Sequence, residues 1–507
     1  MSGGQPNILL IMSDEHGAAF SGTYGHPFIA TPAMDRLAVE GTTFDAAYCN
    51  NPLCVPSRLS FMTGRYTMNC EGWDNAKPLS IDTITWPYLL RRRGYTTALS
   101  GKMHLIGPDQ LHGFHRQLAS DLHAQLVHPV FPWEDGIPEA TEPWPGVFEA
   151  GSRVPAQGRQ AGVPTESLPE PAIPTGPGTT PEIIADDEAT DRAITYLRDY
   201  AAGRGEPGTA ASAGRPFALC VGLIAPHFPF VVPEPYFSRY YPEHADLPNL
   251  PPEHLADLPP AAERLRRAFG FWGHSDEQIG RARAAYYGLV TYLDDKIAQL
   301  LDTLDETGLT DRTVVIHTSD HGEMLGEHGL WRKMCFYEQT ARVPLQIRWP
   351  GRADAGRRVA RCVSLVDVTA TIIDAADADD PAASLDGHSL AGLVTGDEVD
   401  WTDEAFCEHT AHGTDRPRAM LRRGTWKICL SGRDTAELET ELYDLATDPG
   451  EFDNLAGQPS ARAKQEELTH ALLGRWDPAQ IDARIRASQA ERALLREATG
   501  SSMPPLF

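Results

Sequence analysis

Asn7-Ile8-Leu9-Leu10-Ile11-Met12-Ser13-Asp14 is an uninterrupted apolar run that ends on a carboxylate. A run without alternation reads as a strand buried on both faces, as in the middle of a parallel sheet. It delivers Asp14, Glu15 and His16 at its carboxyl end. Thr31 then reads as a helix cap, with Pro32 at the first helical position, Leu37 and Ala38 on one face and Gly41 as the stop. The stretch Thr313-Val314-Val315-Ile316-His317-Thr318 repeats the first pattern and ends in Ser319-Asp320-His321-Gly322. Residues 217–223 and 343–349 are further strand candidates. Residues 276–309 carry helical spacing through Ile279, Leu289, Leu293, Ile297, Leu300 and Leu304. Strands alternating with helices predict an α/β fold, a large sheet covered by helices on both faces. Ligands of such sheets collect beyond the carboxyl ends of the strands, so Asp14 and Asp320 are expected to share one pocket.

With 507 residues the chain exceeds what one core usually organises. Composition shifts to Asp and Ala after residues 369–376, which sets the expected division into a catalytic domain, 1–375, and a smaller α+β domain, 376–507. In the second, 418–422 and 426–430 read as strands, and 461–476 and 481–496 as helices. Residues 131–180, rich in Pro, Gly, Ala and Glu, read as an irregular excursion and a candidate rim of the site. Residues 203–214 read as a flexible surface loop.

Lys and Arg number 44 against 70 Asp and Glu, a net charge of −26, which argues against nucleic-acid binding and for a small-molecule substrate. An anion entering so acidic a chain must meet concentrated positive charge, for which Arg58, Lys102 and Lys333 are the candidates. No basic stretch followed by an apolar run opens the sequence, and no segment is long enough to span a bilayer. Eight unpatterned cysteines fit reduced thiols. A cytoplasmic protein without membrane attachment is the expectation.

Asp14, Asp320 and His321 offer hard oxygen donors and one imidazole, a set suited to a single divalent cation; calcium, magnesium and manganese all qualify. Glu15 adds a fourth donor if the backbone turns there, because adjacent strand residues otherwise point apart.

Cys54-Val55-Pro56-Ser57-Arg58, followed by Leu59-Ser60-Phe61-Met62-Thr63-Gly64-Arg65, resembles the modification signature of the sulfatase family, in which the cysteine is oxidised to formylglycine. The resemblance extends in order through the 6–14 run, Ser100-Gly101-Lys102-Met103-His104, the Ser319 to Gly326 segment, and Leu442-Tyr443-Asp444-Leu445 with Asp448-Pro449. It implies the alkaline-phosphatase-like α/β fold and a formylglycine at Cys54 made by a formylglycine-generating enzyme. It also implies a homo-oligomer and one divalent ion held by Asp14, Glu15, converted Cys54, Asp320 and His321. Calcium is the first expectation, with manganese or magnesium as alternatives. Glu15 stands where many sulfatases have Asp, and His321 where many have Asn.

By matched position, Arg58 is expected to stabilise the formylglycine hydrate, and Lys102 and Lys333 to neutralise sulfate oxygens. His227, in Pro226-His227-Phe228, is expected to protonate the leaving oxygen and His104 to act as the base of the second step. Asn75 is expected to bind the ester oxygens. A helix starting at Ser57 would place its positive end near Cys54.

The 99–114 stretch is closest to choline-sulfatases, although Asp121-Leu122-His123 stands where an aromatic and acidic segment would follow. Trp133, Glu134 and Asp135 are the remaining candidates for holding a quaternary ammonium. Three readings stay open: hydrolysis of a sulfate ester, hydrolysis of a phosphonate monoester or phosphodiester, and an unconverted anion-binding relative.

Overall fold

The computed structural model describes residues 5–123, 133, 136–137, 139–141, 175–204, 214–352, 355–380 and 383–499. Most of the expected rim at 131–180, Glu134, Asp135, most of the 203–214 loop and the terminal 503–507 segment lie outside the described residues.

Among the described residues, nine strands form one large mixed sheet. In chain order they are β1 (Asn7–Asp14), β2 (Thr42–Tyr48), β3 (Thr96–Gly101), β4 (Arg116–Ala119), β5 (Phe217–Pro226), β6 (Thr313–Ser319), β7 (Arg342–Val343), β8 (Leu345–Arg348) and β9 (Arg357–Ser364). Their spatial order is β9-β2-β8-β6-β1-β5-β3-β4, with β7 paired to β2. Strand β1 sits in the middle, parallel to β5 on one side and β6 on the other. Only β7 and β8 run against their neighbours. The apolar stretch 343–349 is therefore two strands, because Pro344 interrupts the ladder.

Period-two geometry divides β1 between two cores. Leu9 and Ile11 face one apolar cluster, and Ile8, Leu10 and Met12 the other. The first face is covered by α1 (Pro32–Glu40), α4 (Pro181–Ala201) and the long α5 (Asp276–Glu306). The second is covered by α2 (Cys54–Thr63), α3 (Trp86–Arg92) and α6 (Leu365–Ala375). Helix α5 opens on a capping box, Ser275 with Gln278. Helix α1 spans the expected residues, but Met34 rather than Ala38 completes its buried stripe with Ala33 and Leu37. Its N-terminal amides, Ala33 N and Met34 N, donate to Asp294 of α5 at 2.8 and 2.9 Å.

A second, antiparallel sheet follows: β10 (Glu404–His409), β11 (Arg418–Arg423), β12 (Trp426–Ser431) and β13 (Glu439–Asp444), backed by α7 (Arg462–Leu473) and α8 (Pro478–Thr499). Beyond α6, Leu390, Leu393 and Val394 still pack with the large sheet, and Ala405, Cys407 and Met420 of the small sheet join that cluster. A buried ionic group ties the two sheets. Lys427 Nζ lies 3.0 Å from Glu338 Oε1 and 2.6 Å from Glu451 Oε1, and Tyr48 donates to Glu338 at 3.0 Å.

Candidate active site

Strands β1, β5 and β6 end side by side, and these ends carry the chemistry. Asp14 pairs in register with Pro226, which sets His227 beside it, while Ser13 pairs with Ser319, which sets Asp320 on the other side. The expected turn after Asp14 is present: Glu15 has φ 66° and donates its backbone N–H to Asp320 Oδ1 at 3.2 Å. Asp14, Glu15, Asp320 and His321 are all fully buried.

Helix α2 brings Cys54 to this point. It begins at Cys54, three residues earlier than expected, with Leu53 as its N-cap residue. Pro56 is tolerated in the first turn because the amide it lacks would have no intrahelical partner there. The positive helix end thus falls on Cys54 itself. Val55 N donates to Asn75 Oδ1 at 3.0 Å, a cap supplied from another loop, and Ser57 Oγ anchors the helix by donating to Asp320 O at 2.6 Å.

The Cys54 Sγ lies 3.3 Å from His321 Nε2, 3.2 Å from Lys333 Nζ and 3.9 Å from Asp14 Oδ1. Ligand atoms of Asp14, Cys54, Asp320 and His321 all stand within 4.8 Å of one another. His321 Nδ1 is 3.1 Å from Gly322 O; a carbonyl only accepts, so Nδ1 carries a proton and Nε2 is the nitrogen turned inward, the one that would give up its proton to hold an ion. Although burial works against a charged ring, Asp320 pushes His321 up to about 9, so the cluster calls for positive charge. These residues fit a divalent ion.

Each anion here has its own cation. Arg58, fully buried, donates through Nε to Asp320 Oδ2 at 2.8 Å and lies 3.2 Å from Asp14 Oδ2. Its Nη1 also donates to Lys102 O at 3.1 Å. Lys102 Nζ pairs with Asp14. Burial alone would raise the Asp14 pKa, but Lys102 and Arg58 hold it well below the usual range. Lys333 Nζ is 3.0 Å from Glu15 Oε2. Glu15 belongs to a second group that could hold an ion, with Asp14 and His227, and shares Asp14 with the four-ligand cluster.

His227 Nδ1 donates to Phe228 O at 2.5 Å, which leaves Nε2 facing Glu15 Oε2 at 3.1 Å. Burial first, then the charge of Lys333, push its pKa well down, so a proton at Nε2 is released readily. His104, in a left-handed conformation with φ 56°, lies in a row of rings: His104 to His123, 5.4 Å between centroids, and His123 to His227, 5.8 Å.

Sequence reasoning missed several partners. Asp121 accepts the backbone amides of Met103, His104 and His123 at 2.9, 2.5 and 2.8 Å, so one carboxylate shapes the loop bearing two histidines. Glu323 accepts Leu325 N and Arg332 N at 2.8 and 2.5 Å, while burial and the neighbouring Glu15 hold its carboxyl well above the usual range. Each is an acidic residue two positions from a histidine, Asp121 from His123 and Glu323 from the motif's His321, the only signal available beforehand. Trp133 is a correction: it is buried in the core of the small sheet, with the Arg486 guanidinium 5.7 Å from its ring, so its face is already covered.

A central β1 flanked by β5 and β6, with a carboxylate cluster that could hold an ion and Cys54 at a helix start, has the arrangement of an alkaline-phosphatase-like hydrolase. The sulfatase family model matches residues 6–378, and a model described as N-sulphoglucosamine sulphohydrolase, C-terminal, matches 326–476. The chain belongs to the sulfatase family and is a sulfuric ester hydrolase. It is 33% identical to a choline-sulfatase of Rhizobium meliloti, over 98% of this chain and 92% of that one. It is 31% identical to a multifunctional alkaline phosphatase superfamily protein, PehA, of Trinickia caryophylli, with 96% of each chain covered. A phosphonate monoester hydrolase from Silicibacter pomeroyi superposes with a TM-score of 0.72 at 25% identity, covering 94% of this chain and 96% of its own. Among the described residues no helix is long and apolar enough to cross a membrane.

Proposed function

We propose that the chain hydrolyses a sulfate monoester of a small alcohol to alcohol and sulfate, using a formylglycine derived from Cys54 and one divalent ion. The observation that carries this is the placement of Cys54 Sγ within 4.8 Å of ligand atoms of Asp14, Asp320 and His321. Calcium is the proposed ion, with manganese or magnesium as alternatives for a site rich in carboxylates. When present, the ion would polarise the ester oxygens and the formylglycine would supply the nucleophilic oxygen.

The chain's own residues divide the remaining work. Arg58 bridges Asp14 and Asp320 and so holds both carboxylates at a fixed separation. Lys102 and Lys333 neutralise the non-reacting sulfate oxygens. Asn75, with Oδ1 committed to Val55 N, directs its amide donors to the ester oxygens. His227 turns Nε2 towards the site and would pass a proton taken up there to the departing alcohol, and His104 is the base of the second step. The free state of all eight cysteines supports a reducing, cytoplasmic setting, in which a formylglycine-generating enzyme would have to act on Cys54.

Hydrolysis of a phosphonate monoester or phosphodiester is the second reading, favoured by the likeness to PehA and the phosphonate monoester hydrolase. Turnover of an aryl sulfate against an aryl phosphonate monoester, on protein whose Cys54 conversion is confirmed by peptide mass, decides between them. Higher kcat/KM on the sulfate is expected; dominant phosphorus activity, or full activity with an unmodified thiol, would refute the proposal.

A further inference from the structure

The last described helix reaches back to the nucleophile. Arg492 of α8 places Nη1 and Nη2 each 2.7 Å from the two carboxylate oxygens of Asp74. Both side chains are largely shielded, 11% and 8% exposed. Asp74 Oδ1 also accepts Ala76 N at 2.9 Å, which closes a tight turn around Asn75. Asn75 Oδ1 in turn accepts Val55 N at 3.0 Å, the amide next to Cys54 in the first turn of α2. Thus one bidentate ion pair fixes one turn, and that turn fixes the start of the helix on which position 54 sits.

A planar guanidinium matched to a carboxylate by two short bonds restrains orientation as well as distance. In a shielded place it differs from an ordinary surface pair, because removing the arginine leaves a buried carboxylate that must find another partner or water. The Asp74 turn would follow its carboxylate, and Asn75 moves with it.

We propose that Arg492 is a positioning residue: through Asp74 it sets Asn75, and through Asn75 it sets the first turn of α2 and position 54. Its kinetic consequence rests on the sulfate-ester reading given above; its structural consequence does not. The small C-terminal sheet with its helices is then a working part of the catalytic centre.

The test compares Arg492→Met with Arg492→Lys and with Ile485→Ala, a fully buried apolar side chain on the same helix that makes no hydrogen bond or ion pair to Asp74. Hydrogen exchange with fragmentation that resolves the Val55 amide gives the first readout, and kcat/KM for an aryl sulfate the second. Arg492→Met is expected to speed exchange at Val55 by about tenfold or more and to lower kcat/KM by about 10- to 100-fold, mostly in kcat. Arg492→Lys, which keeps the charge without the fork, is expected in between. Ile485→Ala is expected to lower thermal stability with neither effect. Unchanged Val55 exchange in the arginine variants overturns the proposal whatever the kinetics. Faster exchange with kcat/KM no lower than in Ile485→Ala overturns it equally. A wild-type protein that cleaves no sulfate ester refutes the functional reading alone, and exchange at Val55 still decides the tether.

Discussion

Gly222→Ala is the sharpest test of how the fold aims the cations of the candidate site. Gly222 lies in β5 opposite Gly101 of β3, and Lys102 N donates to Gly222 O at 2.8 Å. A Cβ added at Gly222 would stand 1.8 Å from Lys102 O, 2.6 Å from its C and 3.0 Å from its N. All three are backbone atoms, so no rotamer change relieves the clash. Ordinary contact needs about 3.5 Å, so β3 and β5 must part by roughly 1.5 Å at this point. Lys102 O also accepts Arg58 Nη1 at 3.1 Å, which carries the displacement to the residue holding Asp14 and Asp320.

A misplacement of about 1 Å in catalytic groups costs on the order of 100-fold in rate. Gly222→Ala is therefore expected to lower kcat/KM for an aryl sulfate by about 100-fold or more, while the overpacking itself lowers stability by about 1–3 kcal/mol. Gly308→Ala is the control. Its φ of +66° strains any side chain, yet a Cβ there meets nothing within 4 Å, so it loses about 1 kcal/mol without moving the site. Steady-state kinetics on both variants, with Cys54 conversion matched by peptide mass, gives the comparison. Folded Gly222→Ala with kcat/KM within about threefold of wild type would show that Lys102 is not held by this close strand contact.

Two further outcomes follow from the ionic groups. Lys427→Met leaves Glu338 and Glu451 facing each other in a buried place, and the expected loss in denaturant unfolding is about 3–5 kcal/mol; the double variant with Glu451→Gln should recover part of it, and no recovery would refute the triad. Its pH dependence has a definite sign. Burial would raise the Glu338 pKa, but Lys427, then Arg342 and Arg422, bring it from 4.5 to about 2, so at Glu338 the native state binds fewer protons, and that stabilisation, complete above about pH 4.5, is lost as pH falls towards 2, whereas burial raises Glu451 to about 7 and gives it the opposite slope above pH 4.5; Lys427→Met should weaken the acid-side slope. Separately, adding a divalent ion to chelator-treated protein should raise its thermal midpoint through binding to the native state, and Asp320→Asn should abolish that shift. A shift that survives in Asp320→Asn would place the ion elsewhere.

What the sequence disclosed, it disclosed through continuous apolar runs and short motifs. Strands β1 and β6 are central and buried on both faces, so their composition names them, and the carboxylates at their ends follow at once. Helix α2 was misplaced by three residues because proline is commonest at the first helical position, whereas here it is third and the cap comes from Asn75 in another loop. No local pattern encodes a tertiary cap. Strands β10 and β13 carry alternating acidic residues and too little apolar character to stand out before their neighbours β11 and β12 are known. Asp121 and Asp74 are short acidic residues in turns, indistinguishable in sequence from many solvated ones; only the backbone amides and the arginine they meet reveal them.

The charges of the site close the electrostatic reasoning that composition began. Arg58 answers Asp320, Lys102 answers Asp14 and Lys333 answers Glu15, so before any ion binds, the three cations and three carboxylates cancel. A substrate anion approaching a chain of net charge −26 would then find these three cations already matched inside a repelling field. A bound divalent ion changes that balance by two charges at the point where Asp14, Asp320, His321 and position 54 converge. An ion held by Asp14 would take over the carboxylate that Lys102 neutralises and leave that lysine to face an anion, while Lys333 keeps Glu15 as its partner.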